Sequence, residues 1–148
     1  MGGHIPWEKI DLRLKSSRSL WLATTRPDGR PHVVPVWFWW DSNGKRVYFV
    51  LNRAAEVTRN LANQQAVALH MGDGVDVVII EGAARPANDA MERAAVNARW
   101  MNKYVDPFDG ARAQVTGSDD ILVAVQVEQV SAWEYGTPAT CTEWKFNH

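Results

Sequence analysis

The chain has 148 residues, enough for a single domain, and its 16 Lys and Arg against 17 Asp and Glu leave a formal net charge of −1. That balance excludes the cationic field that gathers nucleic acid or an anionic membrane surface, and no apolar run approaches the ~20 residues of a membrane helix. One cysteine, Cys141, excludes an internal disulfide, a cysteine-rich zinc site and a paired-thiol redox motif, and suits a reducing cytoplasm.

Residues Met1 to Pro6 have neither the basic stretch nor the apolar core of a secretory signal. Ile10, Leu12 and Leu14 lie among charges after Pro6, so Trp7 to Lys15 is predicted as a short helix that plugs a barrel end. Ser19 to Thr25 is predicted as a buried strand, and Arg26-Pro27-Asp28-Gly29-Arg30 as a turn. The next strand, Pro31 to Trp40, is apolar on both faces: Val33, Trp37 and Trp39 point one way, and Val34, Val36, Phe38 and Trp40 the other. One face can fill a barrel. The other needs a ligand or a second subunit, and eight Trp in the chain exceed core needs.

Asp41 to Lys45 is a hairpin turn that leads into a returning strand, Arg46 to Leu51. From Asn52, a good N-cap, the spacing of Val57 and Leu61 predicts a helix. Ala66 to Met71 and Val75 to Ala84 are further strands around the Gly72-Asp73-Gly74 turn. Asn88 to Tyr104 is predicted as the longest helix, with an Asp89/Glu92 capping pair and an apolar stripe of Met91, Ala94, Ala95, Ala98 and Met101. Asp106 to Asp120 is a loop or broken helix, and Ile121 to Glu128 a last strand that extends toward Tyr135. Six strands in hairpin order, with helices between them, predict an α+β chain: a six-stranded antiparallel barrel with short flanking helices, residues 1–148 forming one domain.

No histidine pair has metal-ligand spacing, His32 and His70 fit structural or exposed roles, and Gly72-Asp73-Gly74 opens no helix as a dinucleotide fingerprint must. Cys141 has no activating neighbour, and no catalytic residue emerges. What the residues do offer is a helix start flanked by Arg53 and Arg59, with Asn52 and Thr58 beside them, which favours an anion.

Several segments, in order, resemble one family: Ser19 to Thr25, Pro27-Asp28-Gly29-Arg30-Pro31, Val34-Pro35-Val36-Trp37, Val47-Tyr48-Phe49, Arg59-Asn60-Leu61, Val78-Ile79-Ile80-Glu81-Gly82 and Thr142-Glu143-Trp144-Lys145-Phe146. Together they are similar to the pyridoxamine-5′-phosphate-oxidase-like split β-barrels, which include FMN-dependent and deazaflavin (F420)-dependent oxidoreductases. The resemblance implies a homodimer with F420, or alternatively FMN, at the interface and hydride transfer to an unsaturated small molecule. A non-catalytic binder of a cofactor or tetrapyrrole is the other implied role. It places the cofactor ring along Val34, Pro35, Val36 and Trp37, and the phosphate tail by Leu51, Asn52, Arg53, Thr58 and Arg59. The C-terminal segment around Trp144 and Lys145 is expected either to close over the ring of the other subunit or to cover the barrel end of its own. Many relatives carry a Lys where this chain has Val57, so Arg53 and Arg59 are left to hold the tail.

Overall fold

The computed structural model describes residues 5–105, 108–111, 119–136 and 141–148. Most of the expected Asp106 to Asp120 loop, and residues 1–4, lie outside these. The elements run α1 (Trp7–Ser16), β1 (Ser19–Thr25), β2 (Pro31–Asp41), β3 (Arg46–Asn52), α2 (Glu56–Asn63), β4 (Ala66–Met71), β5 (Val77–Pro86), α3 (Ala90–Lys103), β6 (Asp120–Trp133) and β7 (Thr142–Lys145). The sheet order is β3-β2-β1-β4-β5-β6-β7, and β3 also pairs with β6, so β1 to β6 close an antiparallel barrel. The six-stranded barrel with three helices is the expected α+β fold. The seventh strand was not expected; it is an addition to β6 outside the closed ring.

Alternation decides what fills the barrel. Leu20 and Leu22, Phe38 and Trp40, Val47 and Phe49, Leu69, Val78 and Ile80, and Val125, Val127 and Val130 all turn inward and are at most 2% exposed. α1 closes one end, with Ile10 and Leu14 four residues apart in the same core. α2 closes the other end through Val57 and Leu61. No helix among the described residues is long and apolar enough to cross a membrane.

β6 is the longest strand and pairs on one edge with β5 and on the other with β3 and then β7. Its register against β5 shifts between Glu81 and Gly82. Gly82 is required there, because a Cβ at that position would come within 2.2 Å of the Gln126 carbonyl oxygen. Gly82→Ala should therefore destabilise the protein by at least about 1–3 kcal/mol, the cost of forced overpacking. Chemical denaturation of the variant checks this.

The outer face of β3 and β6 is covered by α3. Val96, Trp100 and Tyr104, spaced four apart, pack on Tyr48, Leu122 and Ala124 to form a second small core. This corrects the expected stripe: Met91 is 82% exposed, Ala94, Ala95 and Ala98 are exposed, and Met101 is only half-buried. Alanines bury too little area to orient a helix against larger side chains. The Asp89 cap is as expected, its carboxylate accepting from the Glu92 N–H at 2.9 Å.

Glu92 then fixes the helix to the barrel. Arg85 grips it at 3.0 and 2.8 Å and the Tyr48 hydroxyl donates at 2.7 Å. Chiefly because of Arg85, with Tyr48 adding to it, the Glu92 carboxyl is held down at about 2 rather than 4.5. A depressed carboxylate stabilises the fold above its ordinary pKa, and that contribution fades as pH falls through 4.5 toward 2. Unfolding of the wild type should lose stability across that window, and Glu92→Gln should lower stability at neutral pH by about 1.5–3 kcal/mol while flattening the acid slope. Denaturation midpoints measured from pH 7 to 3 test both.

Candidate functional site

Between β1 and β2 several outward side chains are about half exposed among the described residues. Val33, Pro35 and Trp37 stand on β2, and Trp21, opposite Pro35, stands on β1. Val33 is 50%, Trp37 52% and Trp21 46% exposed. From Val33 to Trp37 the strip runs four residues, about 13 Å at a strand rise of ~3.3 Å. At its far end Trp37 stacks on Tyr104, with centroids 4.9 Å apart and planes at 13°. The Arg18 guanidinium lies 5.5 Å from both ring centres.

The predicted ring-contact residues divide by alternation. Pro35 and Trp37 lie on the open strip. Val34 is half-buried, while Val36 and Leu51 turn into the core, so only their backbone is available to a ligand on the outer face.

The near end of the strip meets α2. Here the expected helix start is corrected: α2 begins at Glu56 with Ala55 as N-cap, whereas Asn52 makes a turn of its own by accepting the Ala54 N–H at 2.9 Å. Thr58 Oγ1 donates to the Asn52 carbonyl and Arg59 Nη1 to the Ala54 carbonyl, both at 2.6 Å. Arg59 thus braces the turn and forms no ion pair among the described residues, although its charge acts on Glu56. Arg53 is exposed on the same turn.

Glu56 is the one acid in the first turn of α2. Arg26, above all, holds its carboxyl below the usual range, with His32 and Arg59 adding to this. His32 Nε2 lies 3.5 Å from Glu56, and Nδ1 lies 3.4 Å from Nδ2 of the buried Asn60, which also donates to Thr24 at 3.0 Å. His32 is therefore structural, as expected: it ties α2 to the barrel end. Val57, the position at which the resemblance implies a Lys, is 5% exposed within the core. The position points away from solvent in this chain.

Two depressions flank α2. One of about 280 Å³ is lined by Thr58, Leu61, Ala84, Arg85 and Val123. The other, of about 360 Å³, includes Arg26, Arg30, Glu56 and Arg59. Thr58 and Arg59 thus face different depressions.

Trp144 and Lys145 are not beside this region of their own chain. Along β6, Lys145 pairs with Gln129 and Asn52 with Asp120, nine residues away, or nearly 30 Å at the strand rise. Trp144 instead covers the opposite barrel end: Trp7 meets both Trp144 and Phe146 edge-on at 5.3 Å. This is the arrangement in which the segment covers its own barrel.

The expectation had no place for Tyr104 or Arg18. The signal for Tyr104 is the four-residue spacing of Val96, Trp100 and Tyr104, which marks the buried side of α3. Arg18 precedes β1 with no pattern around it.

A closed antiparallel barrel of six strands, plugged by helices at both ends and bare on one outer face, defines a small split-barrel protein. The chain matches the pyridoxamine 5'-phosphate oxidase family over residues 6–134 and belongs to that family. No curated protein sequence matches it. Among solved structures it is similar to the conserved hypothetical protein Rv2991 of Mycobacterium tuberculosis, with 18% identity over 89% of this chain and 86% of that one and a TM-score of 0.70. HutZ of Vibrio cholerae, described as a heme storage protein, gives 19% identity, 88% and 97% coverage and a TM-score of 0.70. A heme binding protein of Mycobacterium smegmatis gives 18% identity and a TM-score of 0.71, with 96% of this chain covering 59% of that one. Identities this low establish a shared fold.

Proposed function

We propose that this chain is a homodimeric oxidoreductase that lays a deazaflavin or flavin ring on the Trp21–Val33–Pro35–Trp37 strip. The observation that carries the reading is the strip itself: exposed aromatic and aliphatic side chains on an outer sheet face, leading to a turn that carries Arg59, which acts on Glu56 but forms no ion pair among the described residues. A face of this kind is covered in the working protein. A second copy laid against it would bury the ring edge, exclude water and offer its own Trp144 and Lys145.

The residues fit the group in part. Flat apolar side chains suit a tricyclic ring, and Arg53 and Arg59 suit an anionic tail. Glu56 at the helix start, together with the buried Val57, disfavours a compact phosphate seated on the helix axis. That favours F420, whose anionic tail is longer, over FMN. Once bound, the reduced cofactor supplies the hydride, and the chain's residues position the ring and shield it.

A second reading, a non-enzymatic tetrapyrrole carrier, is favoured by one observation. His70 is paired in register with Trp21, is exposed, and so lies on the same outer face within reach of a ring on the strip. The heme-related neighbours make this reading worth testing.

Absorbance titrations with F420, FMN and heme in one buffer separate the readings. F420 should bind most tightly, and an enone or quinone should oxidise the bound reduced form faster than buffer does. Tightest binding of heme, with a ligand-field band lost in His70→Ala, would establish the carrier instead. Arg59→Ala should weaken F420 binding by about 1.5–3 kcal/mol, the value of a charge-assisted hydrogen bond. Unchanged affinity in both Arg53→Ala and Arg59→Ala would displace the tail from this turn.

A further inference from the structure

A third depression, of about 610 Å³, lies between the β2–β3 turn and the last turn of α3, and includes Lys15, Trp39, Ser42, Arg99, Asn102 and Lys103. Three cations, Lys15, Arg99 and Lys103, line it against one carboxylate, Asp41. Lys103 Nζ donates to the Phe38 carbonyl at 2.8 Å and sits 3.7 Å from the centre of the Phe38 ring, and no carboxylate among the described residues pairs with it. Arg99 is exposed, four residues earlier on the same helix, and is likewise without an ion pair among the described residues.

Like charges at that spacing repel, so this pair costs helix stability unless something negative lies near. One acid, Asp41, lines the groove at the β2–β3 turn, and it and the nearby Asp11 are already partnered. Asp41 lies 3.7 Å from Arg46 and accepts the Gly44 N–H. Asp11 pairs with Lys15 at 2.8 Å and accepts from Trp40 Nε1 and Ser42.

Cations at a helix C-terminus are ordinarily explained by the dipole. Lys103 departs from that role, because its ammonium reaches the carbonyl of Phe38 on β2 and not the last carbonyls of α3. Burial, with the Arg18 charge adding to it, pushes Lys103 down to about 8. An approaching anion would relieve this. The remaining wall is aromatic: Trp39 is half-buried, stacks on Tyr48 at 5.7 Å and lines the groove.

We propose that this groove is a second binding site, for a small aromatic anion whose ring lies against Trp39 and whose carboxylate or phosphate is held between Arg99 and Lys103. It stands apart from the cofactor reading, since it requires neither the strip nor a second copy.

The test is an NMR titration of the cofactor-free full chain that follows the tryptophan indole N–H signals, with Trp39 assigned through Trp39→Phe. Benzoate, phenyl phosphate, inorganic phosphate and benzyl alcohol are the probes. Benzoate and phenyl phosphate should give saturable shifts centred on Trp39, inorganic phosphate should bind at least tenfold more weakly than phenyl phosphate, and benzyl alcohol should not saturate. Arg99→Gln and Lys103→Met should each weaken binding tenfold or more, whereas Arg30→Gln, on a different surface, should not. Because Arg99 is exposed, its variant keeps the test open should Lys103→Met fail to fold. Equal binding of the neutral alcohol, shifts centred on another tryptophan, absence of saturation by every probe, or unchanged affinity in Arg99→Gln would each overturn the proposal.

Discussion

Tyr104→Ala should lower the stability of the protein by about 3–5 kcal/mol, the range for removing a large buried aromatic side chain. Its ring is 2% exposed and packs against Trp37 and Trp100, both with centroids 4.9 Å away. Its hydroxyl also supports the sheet. The β1–β2 ladder ends at the pair Ser19–Trp37, so the next step, Arg18 against Phe38, has backbone groups without ladder partners. The Tyr104 hydroxyl enters that step. It accepts the Phe38 N–H at 2.8 Å and lies 2.7 Å from the carbonyls of both Phe38 and Arg18, to one of which it donates. Burial, acting against the Phe38 hydrogen bond, pushes the phenol up to about 12 and keeps it protonated for this purpose.

Tyr104→Phe isolates the contribution of the hydroxyl, because it keeps the ring and strands a buried N–H, and it should cost about 1–3 kcal/mol. Urea denaturation of the two variants separates the contributions. If Tyr104→Phe matched the wild type, water would have replaced the hydroxyl and its place in the ladder would count for nothing.

The second large effect is expected at the bare strip. The wild type should sediment as a dimer at micromolar concentration, and Trp21→Glu should be a folded monomer with cofactor affinity at least a hundredfold lower. Trp21 stands 46% exposed on the free chain, so a charge there is harmless to the monomer. Under a second copy the same carboxylate would lose its water with His70 as its cross-strand neighbour, and burying an incompletely paired charge costs several kcal/mol. An obligate interface generally exceeds ~2,000 Å² in total, so the loss of one central aromatic anchor should be decisive. Sedimentation velocity with a parallel F420 titration gives both readouts. A monomeric wild type would sink the interface reading, and a dimeric Trp21→Glu that bound F420 normally would move the site off this face.

The strands of the barrel were legible from their apolar runs and the turn residues between them: β1 and β4 have the expected bounds, β2 and β3 differ by a residue, and β5 begins and ends two residues later than expected. Elements whose position depends on tertiary context were harder. Asn52 has the chemistry of a helix cap, but its side chain serves a turn that precedes the N-cap of α2, Ala55, by three residues. Four residues, Thr142 to Lys145, are too few to show a period, and β7 exists because β6 extends far enough to pair with it.

The candidate site was partly legible for the same reason. Alternation identified a β2 face in need of cover, and the structure leaves that face bare. Val36 and Leu51 were assigned to the site by the family resemblance, and their side chains turn the other way. Tyr104 and Arg18 come from distant segments, and only the folded chain brings them to Trp37.

The double role of β6 has a consequence for how this protein is made. Until residues 120–133 leave the ribosome, β3 and β5 are both open edges, because β6 is the strand that joins them. A chain stopped at residue 119 would be an unclosed ribbon with two adhesive margins, prone to capture neighbouring chains during synthesis. Closure thus waits on the sixth strand to be synthesised, which seals both margins at once.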